Sequence, residues 1–178
     1  MISIFYTSFI KYLLVLGNLI HPSITDTFSL RGTYFTSEHE FPKLYTCDSA
    51  GISPALQWKN TPIGTKSLAI TMHHIAKDGT KHVYFVLYNI PPQTISIPDG
   101  VSNLGKFGHN SMNPFAAYAP PCSKGPGQKQ YIITIYAIAD MKNENDPKII
   151  SLPELESWME NKIIHQASLP VNYTRNIK

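Results

Sequence analysis

The chain has 178 residues, 43% hydrophobic and 15% charged, enough to bury one substantial core and too few to build two comfortably. Its net charge of +3 comes from lysines and arginines scattered without a basic run, which argues against a surface that tracks a phosphate backbone and so against nucleic acid as a partner. Fourteen prolines and ten tyrosines, set among segments rich in Val, Ile and Thr, predict a mainly β core with little helix.

Residues 1–25 stand apart. Lys11 precedes the apolar run Tyr12–Leu16, with Leu19 and Ile20 beyond Gly17 and Asn18. The run is too short and interrupted for a stable membrane span, which needs about 20 apolar residues. Its proportions are those of a secretory signal peptide, although no Ala-x-Ala site follows and the positive charge sits late. The expectation is a leader over 1–25 and one domain over 26–178, in a periplasmic or secreted protein.

A first strand is predicted within 27–36 and a short one around Leu56–Trp58, after turn signals at Asp48–Gly51. SLAITMHH, from Ser67 to His74, reads as a strand, Asp78-Gly79 as the turn after it, and HVYFVLYNI, from His82 to Ile90, as a strand apolar enough on both faces to be central. Residues 91–130, dense in Pro, Gly, Asn and Ser, are expected to be a functional loop region. A buried strand comes next at Tyr131–Asp140. Leu152, Leu155, Met159 and Ile163 then recur at helical spacing, with Ser151 and Glu154 forming a capping box, which predicts a helix over Leu152–Ile164. The end reads as a last strand or an extended tail. Trp58, Phe85 and Tyr136 are the expected core aromatics.

Cys47 and Cys122 are an even pair that an oxidising compartment would allow to bond, or two separate buried thiols. Neither has the spacing of a zinc ligand or a redox dithiol, and no metal or other cofactor is expected. His73 and His74 are adjacent, so on a strand they point to opposite faces and only one can look into a given pocket. A hydrolase or metalloenzyme built on His73, His74, His82 and His109 would lack a Gly-x-Ser-x-Gly elbow and a His-Glu-x-x-His helix. The chain is expected not to be an enzyme.

CDSAGISPALQW, PIGTKSLAI, YFVLYNIP, GHNSM, YAPPC and QYIITIYAI occur in an order and spacing that resembles the phosphatidylethanolamine-binding protein family, in its bacterial Raf kinase inhibitor-like (YbhB/YbcL) branch. The resemblance runs from about Phe28 to the C-terminus. It implies a β-sandwich of a large and a small sheet with a short C-terminal helix, and a small anion pocket near one end of the strands. It also implies that the motifs carrying Cys47 and Cys122 lie near each other, which favours a disulfide.

Carried across residue by residue, the family's Asp-Pro-Asp-Ala-Pro element begins at His74, so both pocket carboxylates are gone. The family's strand-opening His falls at Tyr84, with His82 two residues earlier on the same face. The His-Arg-Tyr or His-His-Tyr element reads Lys129-Gln130-Tyr131, and the Tyr-x-Gly-Pro-Cys loop begins at Tyr118. The pocket implied by the resemblance is therefore His74, Tyr84, Lys129 and Tyr131, with His82 and Tyr118 beside them. Exchanging carboxylates for imidazole and amine favours a small anion or phosphorylated group and removes the partner of a ligand ammonium. Two readings remain open. One is an exported binding protein for an anion or a partner's acidic or phosphorylated group; the other is an interaction or inhibitor protein that acts through its 91–130 loops, with a vestigial pocket.

Overall fold

A computed structural model describes residues 27–125 and 127–175; the expected leader lies outside the described residues. Two antiparallel sheets face each other. The small sheet has the order β1-β2-β5, from β1 (Ser29–Gly32), β2 (Leu56–Lys59) and β5 (Ser96–Ile97). The large sheet has the order β6-β4-β3-β7-β8, from β3 (Ser67–Ile75), β4 (Lys81–Ile90), β6 (Lys106–Phe107), β7 (Gln128–Ile138) and β8 (Ile163–Thr174). Helix α1 (Leu152–Met159) covers the other face of the large sheet, so its central strands β3 and β4 are buried on both sides.

This layering explains the unbroken apolar strands. On β4, Phe85, Leu87 and Ile90 enter the core between the sheets while Val83, Val86 and Tyr88 pack toward α1. Leu68, Ile70 and Met72 of β3 and Tyr131, Ile133 and Ile135 of β7 complete the inter-sheet core. Trp58 and Phe85 are buried there as expected. Tyr136 is only half-buried, because its place in the alternation of β7 turns it toward the helix layer.

Boundaries differ from the sequence reading where local chemistry ends an element. The helix stops at Met159, not at Ile164, since Asn161 takes a left-handed φ of 63° and Ile163 pairs with Ile138 as the start of β8. At its start Glu154 Oε2 accepts the Ser151 N–H at 2.8 Å, the expected capping contact. The first strand is only Ser29–Gly32, and the loop region holds the two-residue strands β5 and β6 before β7 opens at Gln128. The segment read as a last strand or an extended tail is a full strand of 12 residues, Ile163–Thr174.

Two irregularities interrupt the β3–β4 ladder. Met72 pairs with Phe85 but His73 with Val83, so Tyr84 is an extra residue, a β-bulge. The consecutive side chains Tyr84 and Phe85 consequently both lie on the inter-sheet face. The second shift falls around Asn89, whose left-handed φ of 55° lets its amide exchange hydrogen bonds with the Lys142 backbone at 2.7 and 3.1 Å.

Candidate functional site

At one end of the large sheet His74, His82, Tyr84, Lys129 and Tyr131 line a single cavity of about 400 Å3, together with Ala76, Met112, Cys122, Ser123 and Lys124. Strand pairing assembles it. His74 lies opposite His82 in the β3–β4 ladder, their rings near-parallel with centroids 6.3 Å apart. The bulge adds Tyr84 to this face, where its ring meets Tyr131 edge-on at 5.2 Å, and Tyr131 in turn lies 5.5 Å from His74. Lys129, two residues before Tyr131 on β7, projects to the same side.

His73 goes the other way. Its Nδ1 is buried without a hydrogen-bond partner among the described residues, and Lys81 and Glu156, which pair with each other at 3.0 Å, are the charged groups felt from β4 and α1. Burial first, then Lys81, holds its pKa below the ordinary imidazole value. Tyr118 is also outside the lining. Its ring packs edge-on against Phe85 at 5.5 Å and its hydroxyl donates to the Tyr45 carbonyl at 2.7 Å, so it supports the floor from behind.

The polar character of the cavity is specific. Among the described residues its lining contains two lysines and two histidines and no carboxylate. Burial pushes the phenol pKa values of Tyr84 and Tyr131 up, so both keep their protons at neutral pH and remain hydroxyl donors. His74 has a fixed proton position: Nδ1 stands 2.8 Å from the Gln130 carbonyl, which can only accept, so the N–H is on Nδ1. Among the described residues no three His, Cys, Asp or Glu side chains gather to hold a metal ion.

Met112, Ser123 and Lys124 are lining residues that the sequence reading missed. Met112 is delivered by the Gly108–Met112 motif. A side chain at Gly108 would meet the Ile150 carbonyl and Val86 at 2.6 Å, so only glycine lets this segment lie against β4. Asn110 then organises the turn: its Oδ1 accepts the N–H groups of Met112 and Asn113 at 2.8 and 2.9 Å, while Nδ2 reaches the Phe115 carbonyl at 2.9 Å. The motif was visible in sequence, but the reach of its methionine was not.

Ser123 and Lys124 belong to the opposite wall, which is cross-tied to the rest of the fold. Cys47 and Cys122 form a disulfide, with Cα atoms 5.3 Å apart, and the Cys47 N–H donates to the Pro121 carbonyl at 3.1 Å. Arg175 reaches back from beyond β8 to the Ser123 carbonyl at 3.0 Å. Asp48 is gripped by Arg175 at 2.9 Å and by the Tyr173 hydroxyl at 2.6 Å, and these contacts hold its carboxyl below the usual range, Tyr173 contributing most.

The family model for phosphatidylethanolamine-binding protein matches residues 31–174, which spans both sheets, the helix and every residue of this cavity. The chain belongs to the phosphatidylethanolamine-binding protein family. It is similar to a UPF0098 protein of Aquifex aeolicus, 29% identical over 156 residues that cover 80% of this chain and 85% of that one. Among solved structures, a phosphatidylethanolamine-binding protein homologue of Chlamydia trachomatis superposes with a TM-score of 0.76 at 23% identity, over 84% of this chain and 98% of the other. Escherichia coli YbcL, described as a new member of the mammalian family, gives 0.74 at 20% identity, over 84% and 99%. These likenesses establish the fold and the family of the cavity's scaffold.

Proposed function

We propose that this member of the phosphatidylethanolamine-binding protein family is an exported binding protein, not an enzyme, whose cavity takes a small anion or the phosphate group of a larger ligand. The observation that carries the reading is the convergence of Lys124, Lys129, His74 and His82 on one cavity without a lining carboxylate. A concave site with cationic and hydroxyl donors and no carboxylate in its lining attracts an oxyanion and supplies its hydrogen bonds. The same lining offers nothing to pair with a ligand ammonium. Lining phenols that keep their protons, and the lack of a carboxylate to act as base, favour binding over catalysis.

Export is supported by the disulfide, since such bonds persist in oxidising compartments. No helix of the described residues is long and apolar enough to cross a membrane.

Titration calorimetry with inorganic phosphate and phosphoethanolamine tests the reading. Phosphate is expected to bind in the millimolar range or tighter, with phosphoethanolamine gaining nothing from its ammonium. Absence of binding by both at millimolar concentration would transfer the function to the 91–130 loop surface.

A further inference from the structure

We infer that His74 makes the cavity selective for an oxyanion that retains a proton, so that free inorganic phosphate is preferred over sulfate and over the phosphodiester of a lipid headgroup. The inference rests on the anion-site reading and goes further, to the ligand's protonation state.

One hydrogen bond sets the tautomer of the ring. The Gln130 carbonyl has only lone pairs, so the 2.8 Å contact fixes the His74 proton on Nδ1. In the neutral ring Nε2 then carries a lone pair, and it has no hydrogen-bond partner among the described residues. A bound oxyanion would fill the cavity that His74 lines. An oxygen without a hydrogen would set lone pair against lone pair at Nε2, whereas a P–OH would donate to it.

Phosphate and sulfate differ in this one respect, and a phosphodiester differs from phosphate also in carrying one charge less. Hydrogen phosphate keeps an O–H even as a dianion, while sulfate, of the same size and charge, has none, and neither has a phosphodiester. Lys129, Lys124 and the one phenol proton left free by the hydrogen bond between Tyr84 and Tyr131 supply donors to the remaining oxygens, so they contribute affinity without telling phosphate from sulfate. When His74 protonates, Nε2 becomes a donor and the distinction collapses. The groups that bear on that proton are His82 across the ladder, Tyr131 and Lys129 on β7, Tyr84 on β4 and Lys124 on the loop.

The test is calorimetry with inorganic phosphate, sulfate and dimethyl phosphate, a diester without hydroxyl or ammonium, at about pH 8 and about pH 5.5, a range over which histidine side chains can change charge. At the higher pH phosphate is expected to bind about tenfold or more tighter than the other two, the effect of one unpaired polar contact. At the lower pH sulfate should come within a few-fold of phosphate. Repeating the titrations in buffers of different ionisation enthalpy gives a second readout: at the higher pH phosphate should bind without net proton uptake, and sulfate only with it. His74→Ala should abolish the preference. Equal binding of phosphate and sulfate at the higher pH, without proton uptake by either, overturns the inference and leaves the anion site standing. No binding of any of the three at either pH overturns the site and the inference together.

Discussion

Arg175 Nε donates to Asp48 Oδ1 at 2.9 Å, joining residues 127 positions apart and locking the end of the chain to the segment that carries Cys47. The same guanidinium holds the Ser123 carbonyl at 3.0 Å, so one side chain fixes both the disulfide segment and the cavity wall. Arg175→Ala is therefore expected to act locally. Amide exchange at Ser123 and Lys124 should quicken on the order of tenfold while the core strands stay protected, as expected for a sub-global opening. Exchange monitored by mass spectrometry checks this, and uniform acceleration across β3 and β7 would contradict it.

The disulfide should carry more of the global stability. It closes a separation of 75 residues, and removing such a link typically costs about 2–4 kcal/mol. Cys47→Ala with Cys122→Ala should lower the denaturation midpoint accordingly without changing the far-ultraviolet circular dichroism. Intact mass measured without reductant on protein from its native compartment should be two hydrogens light.

Trp58 is buried to 2% exposure and its indole N–H donates to the Thr94 carbonyl at 2.8 Å, bracing β2 against the segment before β5. Trp58→Ala should cost about 3–5 kcal/mol. Trp58→Phe retains most of the packing but leaves that carbonyl unpaired, so roughly 1–3 kcal/mol should be lost. Chemical denaturation of both variants gives the comparison, and a loss below about 1 kcal/mol for alanine would contradict the packing.

Acid should destabilise the fold in two separate windows. The pKa of His73 is depressed below 6.5, so the unfolded chain takes up a proton that the native ring refuses. Its contribution is full above pH 6.5 and is lost as pH falls through the depressed native value. Glu154 is held down from 4.5 to about 2, chiefly by Lys148 and then by the Ser151 N–H; its contribution is full above 4.5 and disappears as pH falls through about 2. His73→Leu should flatten the upper window alone, while Glu154→Gln should shrink the lower one without removing it, because Asp48, Asp78 and Asp146 are also held below their usual range, as read from melting temperature against pH.

In the cavity, Lys129→Ala should weaken phosphate binding about tenfold at every pH near neutral, the order expected for one charge-assisted contact. His74→Asp should reduce affinity for phosphate by placing like charge beside it, and recover a relative preference for phosphoethanolamine through its ammonium. Calorimetric titration of both ligands against both variants decides this. A His74→Asp protein that binds phosphate as well as wild type would place the anion elsewhere.

Much of the architecture could be read from the chain because strands buried on both faces announce themselves: the runs at Ser67–Ile75 and Lys81–Ile90 have no polar alternation to confuse their assignment. The helix was legible from Leu152, Leu155 and Met159, but its end was not, since Ile163 keeps the helical spacing while Asn161 adopts a left-handed turn that no spacing reveals. Within the site, His74, Tyr84, Lys129 and Tyr131 came from the family resemblance, and His82 from its place two residues before Tyr84 on one strand face. Lys124 was not found, because it sits on a loop whose course is set by a disulfide and by Arg175, both remote in sequence. Tyr118 was assigned to the pocket through its motif, yet its hydroxyl is spent on the Tyr45 carbonyl.

The bulge in β4 has a further meaning for how such a site changes over time. His82 and Phe85 face the cavity side while Val83 faces the helix, an order that would alternate without interruption if Tyr84 were missing. Tyr84 therefore behaves as a spliced-in passenger: losing its codon would mend the ladder, leave each core neighbour on its own side, and remove one hydroxyl from the cavity lining. A single in-frame deletion or insertion at this point edits the recognition surface without rewriting the interior.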